Sequence, residues 1–157
     1  MISKFIVALD WWRGTAVFSP RGTDLIGEDL PVEQMMGTPV LEFRLENARI
    51  KALFDTGAKL CYMPRSAIGD LVPAGHVKDF HVMTGPFETN VYEVTVEIAN
   101  HPFIANCGVL PKSLASMVGG MSGIEWIIGT DLLRQGAIGL DLRHNRVTAS
   151  STQVGTA

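Results

Sequence analysis

The sequence predicts an all-β domain. Three observations carry that prediction: short β-branched and aliphatic runs recur along the chain, Gly, Pro, Asn and Asp separate them, and almost nothing repeats at helical spacing. Sixteen glycines and eight prolines in 157 residues supply the turns such a chain needs. At about this length folding buries roughly 68–70% of the surface of the unfolded chain. A composition of 46% apolar and 18% charged residues is that of a globular protein rather than a disordered one. One core in one domain follows.

The first 37 residues stand apart from the rest. Phe5 to Leu9 and Thr15 to Phe18 are predicted to pair around Trp11-Trp12-Arg13-Gly14; turn-rich Ser19-Pro20-Arg21-Gly22 and a linker-like stretch from Gly27 to Gly37 come next. Core packing is the commoner fate of tryptophans such as Trp11 and Trp12, an exposed contact patch the other reading. Asp10 reads as part of the turn. A boundary near Gly37 makes 1–37 an N-terminal extension and 38–149 the main domain.

From Thr38 the strands Val40–Leu45 and Arg49–Phe54 join at a turn around Glu46-Asn47-Ala48, and this hairpin runs into Asp55. Asn90 to Ala105 repeats the plan: Val91–Ile98 alternates, Asn100-His101-Pro102 turns, and Phe103-Ile104-Ala105 returns. Each half then reaches an apolar segment ending at glycine, Leu53-Phe54-Asp55-Thr56-Gly57 in the first and Trp126-Ile127-Ile128-Gly129 in the second. Such runs suit strands buried on both faces. Thr130-Asp131-Leu132-Leu133-Arg134-Gln135, stopped by Gly136, is predicted to be the clearest helix, with Asp131 as its cap. Gly139–Leu142 and Arg146–Ala149 bracket His144-Asn145 as a last hairpin, and 150–157 is a polar tail.

Charge and composition exclude several functions. Lys and Arg are scattered on a chain of net charge −3, so no basic stripe offers itself to nucleic acid. Cys61 and Cys107 lack the spacing of a metal or disulfide framework and read as two reduced, partly buried thiols. His76, His81, His101 and His144 have no metal-ligand spacing and read as surface residues. The apolar run Phe5–Leu9 is too short for a secretory signal, and no stretch approaches the roughly 20 apolar residues of a membrane span. A soluble, cytoplasmic location is the default expectation, with no metal and no cofactor.

Asp55-Thr56-Gly57-Ala58, preceded by Leu53-Phe54, resembles the active-site signature of aspartic peptidases. The order of the chain from Thr38 to about Ala149 is similar to that of the retroviral (retropepsin-like) protease family and its bacterial relatives. A hairpin precedes the motif and apolar Leu60-Cys61-Tyr62-Met63 follows it. Then come a flap over His81 to Val91, a second hairpin, Ile127-Ile128-Gly129 and a short helix. The resemblance implies a closed six-stranded acid-protease barrel with a flap hairpin and one short helix near 131–135, homodimeric. It further implies an aspartic endopeptidase with Asp55, Thr56 and Gly57 at the catalytic centre. Ala58, the flap tip Met83-Thr84-Gly85-Pro86-Phe87 and Ile127 would meet the peptide. Gly85-Pro86 departs from more glycine-rich flap tips, and Lys59 stands where relatives tend to have an acidic residue. Val118-Gly119-Gly120-Met121-Ser122-Gly123 looks like a phosphate loop, but a strand follows and no Lys-Ser or Lys-Thr closes it, so a loop beside the cleft is expected.

The chemistry explains the motif. Peptide hydrolysis without metal or covalent intermediate needs one group to take a proton from water and another to give one to the carbonyl oxygen. Two adjacent carboxyls serve both ends, because like charges so close cannot both ionise and the pair holds one proton, as aspartic proteases illustrate. Only one Asp-Thr-Gly exists in the chain. The second carboxyl must therefore come from a second copy related by a two-fold axis. The alternative is a non-catalytic dimerisation or peptide-binding module on the same fold. Residues 1–37 are open to three readings: a removable or inhibitory segment cut near Gln34-Met35-Met36-Gly37, added interface strands, or a plain extension.

Overall fold

The computed structural model describes residues 6–10, 15–19 and 28–151, so Trp11-Trp12, the turn at 20–22 and the tail beyond Ser151 lie outside the described residues. Thirteen strands and one α-helix occur among them. In order these are β1 (Ile6–Asp10), β2 (Thr15–Ser19), β3 (Glu28–Pro31), β4 (Glu33–Met35), β5 (Thr38–Leu45), β6 (Ala48–Phe54) and β7 (Cys61–Met63). The chain continues with β8 (Gly75–His81), β9 (Gly85–Ile98), β10 (His101–Val109), α1 (Lys112–Ser122), β11 (Trp126–Ile128), β12 (Gly136–Asp141) and β13 (Arg146–Ser151).

Six strands close a ring in the order β5-β6-β11-β7-β10-β9, and β9 returns to β5 where Arg44 faces Glu97. Closure removes the open edges that an isolated sheet would expose. Alternation of side chains explains the core. Leu41 and Phe43 of β5, Val94, Val96 and Ile98 of β9, and Phe103, Ala105 and Cys107 of β10 all point inward and are buried. Trp126 meets Phe43 edge to face at 5.3 Å. A second sheet, ordered β2-β1-β12-β13-β3, packs Val7, Ile138, Leu140, Val147 and Ala149 into the same core.

Several elements differ from the sequence expectation. The stretch read as a linker contains β3 on β13 and β4 on β5. Met36 and Gly37 take φ of +52° and +82° in a two-residue turn between β4 and β5, which the type I′ geometry of tight hairpins requires. Gln34 Nε2 donates to Leu142 O at 2.6 Å, tying this segment to the β12–β13 turn. The second hairpin turns at Ala99 and Asn100, φ +50° and +61°, one residue earlier than expected, so His101 and Pro102 belong to β10.

The helix content also needs correction. The segment over 118–123, expected as a loop, is the second half of α1. Pro111 precedes its first turn, and Gly123 at φ +65° ends it by donating its N–H to Gly119 O at 2.7 Å. The expected helix near 131–135 is a 3-10 turn over Thr130–Arg134 that buries Leu132 and Leu133. Asp131 does not cap it. Its carboxylate instead accepts from Asn106 Nδ2 at 2.5 Å and lies 3.7 Å from Arg134 Nε.

Candidate active site

Asp55 follows β6 at the point where three strands meet. β11 lies between β6 and β7, parallel to the first and antiparallel to the second, so the loop from Asp55 to Leu60 wraps around the end of β11. Backbone hydrogen bonds hold both ends of that loop. Asp55 N–H donates to Ile128 O at 2.9 Å, Thr130 N–H to Ala58 O at 2.9 Å, and Asp131 N–H to Lys59 O at 3.0 Å. The Thr130 hydroxyl donates to the same Ala58 carbonyl at 3.1 Å. Gly129 sits at the crossing. A Cβ there would stand 2.1 Å from Leu60 O and 2.8 Å from Ala58 O, so only glycine fits.

Within the loop, Gly57 N–H donates to Asp55 Oδ1 at 2.8 Å and Ala58 N–H to Asp55 O at 3.1 Å. Asp55, Thr56 and Gly57 are exposed in the single protomer. Behind the loop, Cys61 and Cys107 are directly opposed on parallel β7 and β10, both fully buried and both free. They are fully buried neighbours, where the sequence suggested partly buried thiols. The Cys107 thiol bond draws the Cys61 thiol below its ordinary range, helped by the Gly129 N–H 3.4 Å from Cys61 Sγ. The bond to Cys61 and burial push Cys107 up.

A cavity of about 390 Å³ opens above the loop. Asp55, Gly57, Ala58, Phe87 and Ile127, five of the residues singled out in the sequence, line it. Thr56, Met83, Thr84, Gly85 and Pro86 are not among its lining residues. The β8–β9 hairpin forms one wall. Its tip is a three-residue turn, Val82-Met83-Thr84, closed by Thr84 N–H to His81 O at 3.2 Å and by Gly85 at φ +77°. Val82 and Met83 are 85% and 71% exposed, which leaves the tip free of the protomer's own core.

The lining residues that sequence reasoning missed include Leu114 and Val118 of α1, Tyr62 of β7 and Asp79 of β8. Leu114 and Val118 are four apart and share a helix face, a signal present in the sequence but masked by Gly119-Gly120. Tyr62 O–H donates to Asp79 Oδ2, and Phe80 N–H donates to Asp79 Oδ1 at 2.7 Å. Burial, then the Asp79 bond, pushes the Tyr62 hydroxyl far up, so it remains a donor.

A closed β-ring, an Asp-Thr-Gly loop wound around an inserted strand and a hairpin that walls the cleft are features of the acid-protease class. The family model of retroviral aspartyl proteases matches residues 36–141, about two-thirds of the sequence, and the chain belongs to that family. Among solved structures it is similar to the simian foamy virus (mac) protease, with 17% identity over 60% of this chain and 90% of that one, at a TM-score of 0.43. It is also similar to a foamy viral protease–reverse transcriptase in complex with an RNA/DNA hybrid, with 16% identity over 67% of this chain and 11% of that one, TM-score 0.44. No curated protein matches the sequence. Among the described residues no helix is long and apolar enough to cross a membrane.

Proposed function

We propose that the chain is an aspartic endopeptidase whose active unit is a homodimer with one Asp55 from each copy. The observation that carries this reading is the Asp55 loop: its backbone is held from behind by residues 128–131, while its carboxylate stands exposed at the floor of the cleft. Members of the family are dimeric, and a second copy brought against the exposed Thr56 would complete the pair. The Thr56 hydroxyl then bonds across the axis and keeps the two loops in register. Gly57 keeps side-chain bulk away from the carboxylates, its own Cβ position lying 3.1 Å from Asp55 Oδ1.

The dyad holds one proton. The ionised Asp55 takes a proton from water as the water oxygen attacks the peptide carbonyl carbon, and the protonated Asp55 gives its proton to the carbonyl oxygen. In the collapse, the carboxyl that gained a proton passes it to the leaving nitrogen as the C–N bond breaks. The other carboxylate takes one from the gem-diol, which returns the dyad to a single proton. An extended peptide pairs with the β8–β9 hairpin as an added strand, and the hairpin end, from the tip Val82-Met83-Thr84 to Phe87, closes over it.

Asp55→Asn keeps the shape and removes the acid. Turnover of a peptide library by the purified variant is expected to fall on the order of a thousandfold or more, in line with loss of general acid–base catalysis. Unchanged proteolysis would sink the reading, as would sedimentation of the wild type as a strict monomer at every workable concentration. A dimer that binds peptides yet cleaves none from acid to neutral pH would favour the non-catalytic module.

A further inference from the structure

The cleft contains a carboxylate that the hydrolytic dyad does not use. Along β8 the half-buried positions alternate as Val77, Asp79 and His81; Asp79 and His81 line the cleft, as does the more exposed Phe80 between them, while Lys78 does not. Asp79 is fixed at both oxygens: Tyr62 O–H holds Oδ2 and Phe80 N–H holds Oδ1. Tyr62 is itself closely packed. It is buried on β7 opposite Gly108 of β10, where a Cβ would stand 2.9 Å from its ring, and opposite Ile127 of β11.

Two hydrogen bonds do not exhaust a carboxylate, which offers about four lone-pair sites. Among the described residues no lysine or arginine lines the cavity and Asp79 forms no ion pair. The nearest cation along the strand, Lys78, pairs outside the cleft with Glu88 at 3.2 Å. His81, which also lines the cavity, has its Nδ1 engaged by Met83 N–H at 3.2 Å. Phe87 lies opposite Asp79 on β9, and apolar Leu110 and Leu114 line the same cavity. A negative charge covered by a bound peptide in such surroundings is costly unless the peptide brings the opposite charge.

We propose that Asp79, oriented by Tyr62, is a specificity-determining residue that accepts a lysine or arginine side chain from a bound peptide. This rests on the reading of the cleft as a peptide site, though not on its hydrolytic activity. The forked guanidinium suits a carboxylate whose orientation is already set, so arginine binds better than lysine. Tyr62 acts through Asp79 as a positioning residue.

The test separates binding from cleavage. Octapeptides of alanine and leucine, with a reduced central bond that cannot be hydrolysed, carry arginine, norleucine or glutamate at one position in turn. Their dissociation constants are measured on the full-length wild type, Asp79→Asn and Tyr62→Phe. Asparagine retains an oxygen for Tyr62, so the first variant removes the charge and keeps that hydrogen bond, giving up the one from Phe80 N–H. At one peptide position the wild type is expected to favour arginine over norleucine by about tenfold and to disfavour glutamate. Asp79→Asn is expected to erase that preference with norleucine binding unchanged, and Tyr62→Phe to reduce it. Equal binding of arginine and norleucine peptides, no binding of either, or an equal loss of both in Asp79→Asn would overturn the proposal. An arginine preference in binding, with no cleavage of the unmodified peptides, would leave the subsite standing and remove the peptidase reading alone.

Discussion

The floor and the walls of the cleft are built on different principles. In the floor, residues 55–60 and 127–131 are locked by backbone hydrogen bonds of 2.9 to 3.1 Å and by contact so close that position 129 tolerates no side chain. In the walls, β8 is an edge strand bonded to β9 and α1 bonds within itself, and the hairpin ends in a tip whose apolar residues face solvent. The difference assigns separate tasks. A reaction that needs two carboxyls in register demands a floor that does not yield, while a peptide that must enter and leave demands a wall that does.

The strongest way to break this comparison is Gly129→Ala. Its Cβ would overlap the Leu60 carbonyl, and backbone on both sides of the crossing is hydrogen-bonded, so neither partner can retreat cheaply. The expected cost exceeds about 4 kcal/mol, among the largest for a single substitution, with activity lost alongside stability. Urea unfolding of the variant measures it. A cost below about 1 kcal/mol would mean that the floor yields as the walls do.

Leu114→Ala probes the α1 wall. Leu114 is 1% exposed and lines the cavity, so truncation is expected to cost about 2 kcal/mol, at the low end for buried leucine because the cavity side is already open. Turnover of peptides with small apolar residues is expected to survive within a few-fold, while preference shifts toward bulkier side chains. Kinetics on a matched peptide pair checks this. Loss of all turnover in a folded dimer would place α1 with the floor.

The same division decided what the sequence could reveal. The floor was legible because its determinants are local: Asp55-Thr56-Gly57 and Ile127-Ile128-Gly129 are short segments whose residue types are dictated by hydrogen bonding and steric approach. The hairpins were legible through alternation, with errors of one residue at turns such as Ala99-Asn100. The walls were not. Gly119-Gly120 lowers helix propensity enough to hide α1, although Pro111 and Gly123 mark its ends. Tyr62 and Asp79 lie on separate strands, and nothing local announces that they meet. Residues 28–35 read as a linker because their strand character comes from pairing with β13 and β5, not from their own alternation.

Gly85→Ala sharpens the comparison at its finest point, since Gly85 and Gly129 are glycines for opposite reasons. At Gly129 the backbone angles suit any residue and space forbids a side chain; at Gly85 nothing lies within 4 Å of a Cβ, and only the φ of +77° resists one. A left-handed alanine costs roughly 1–2 kcal/mol, part of which is returned because alanine restricts the unfolded chain by about 0.4–1 kcal/mol. A net loss near 1 kcal/mol in urea unfolding is the expected result. The turn Val82-Met83-Thr84 keeps its Thr84–His81 bond, so the tip is re-aimed rather than melted, and KM should rise a few-fold with kcat nearly constant. A fall in kcat with KM unchanged would show that the tip bears on the dyad itself, and the line between floor and wall would then run through the hairpin rather than beneath it.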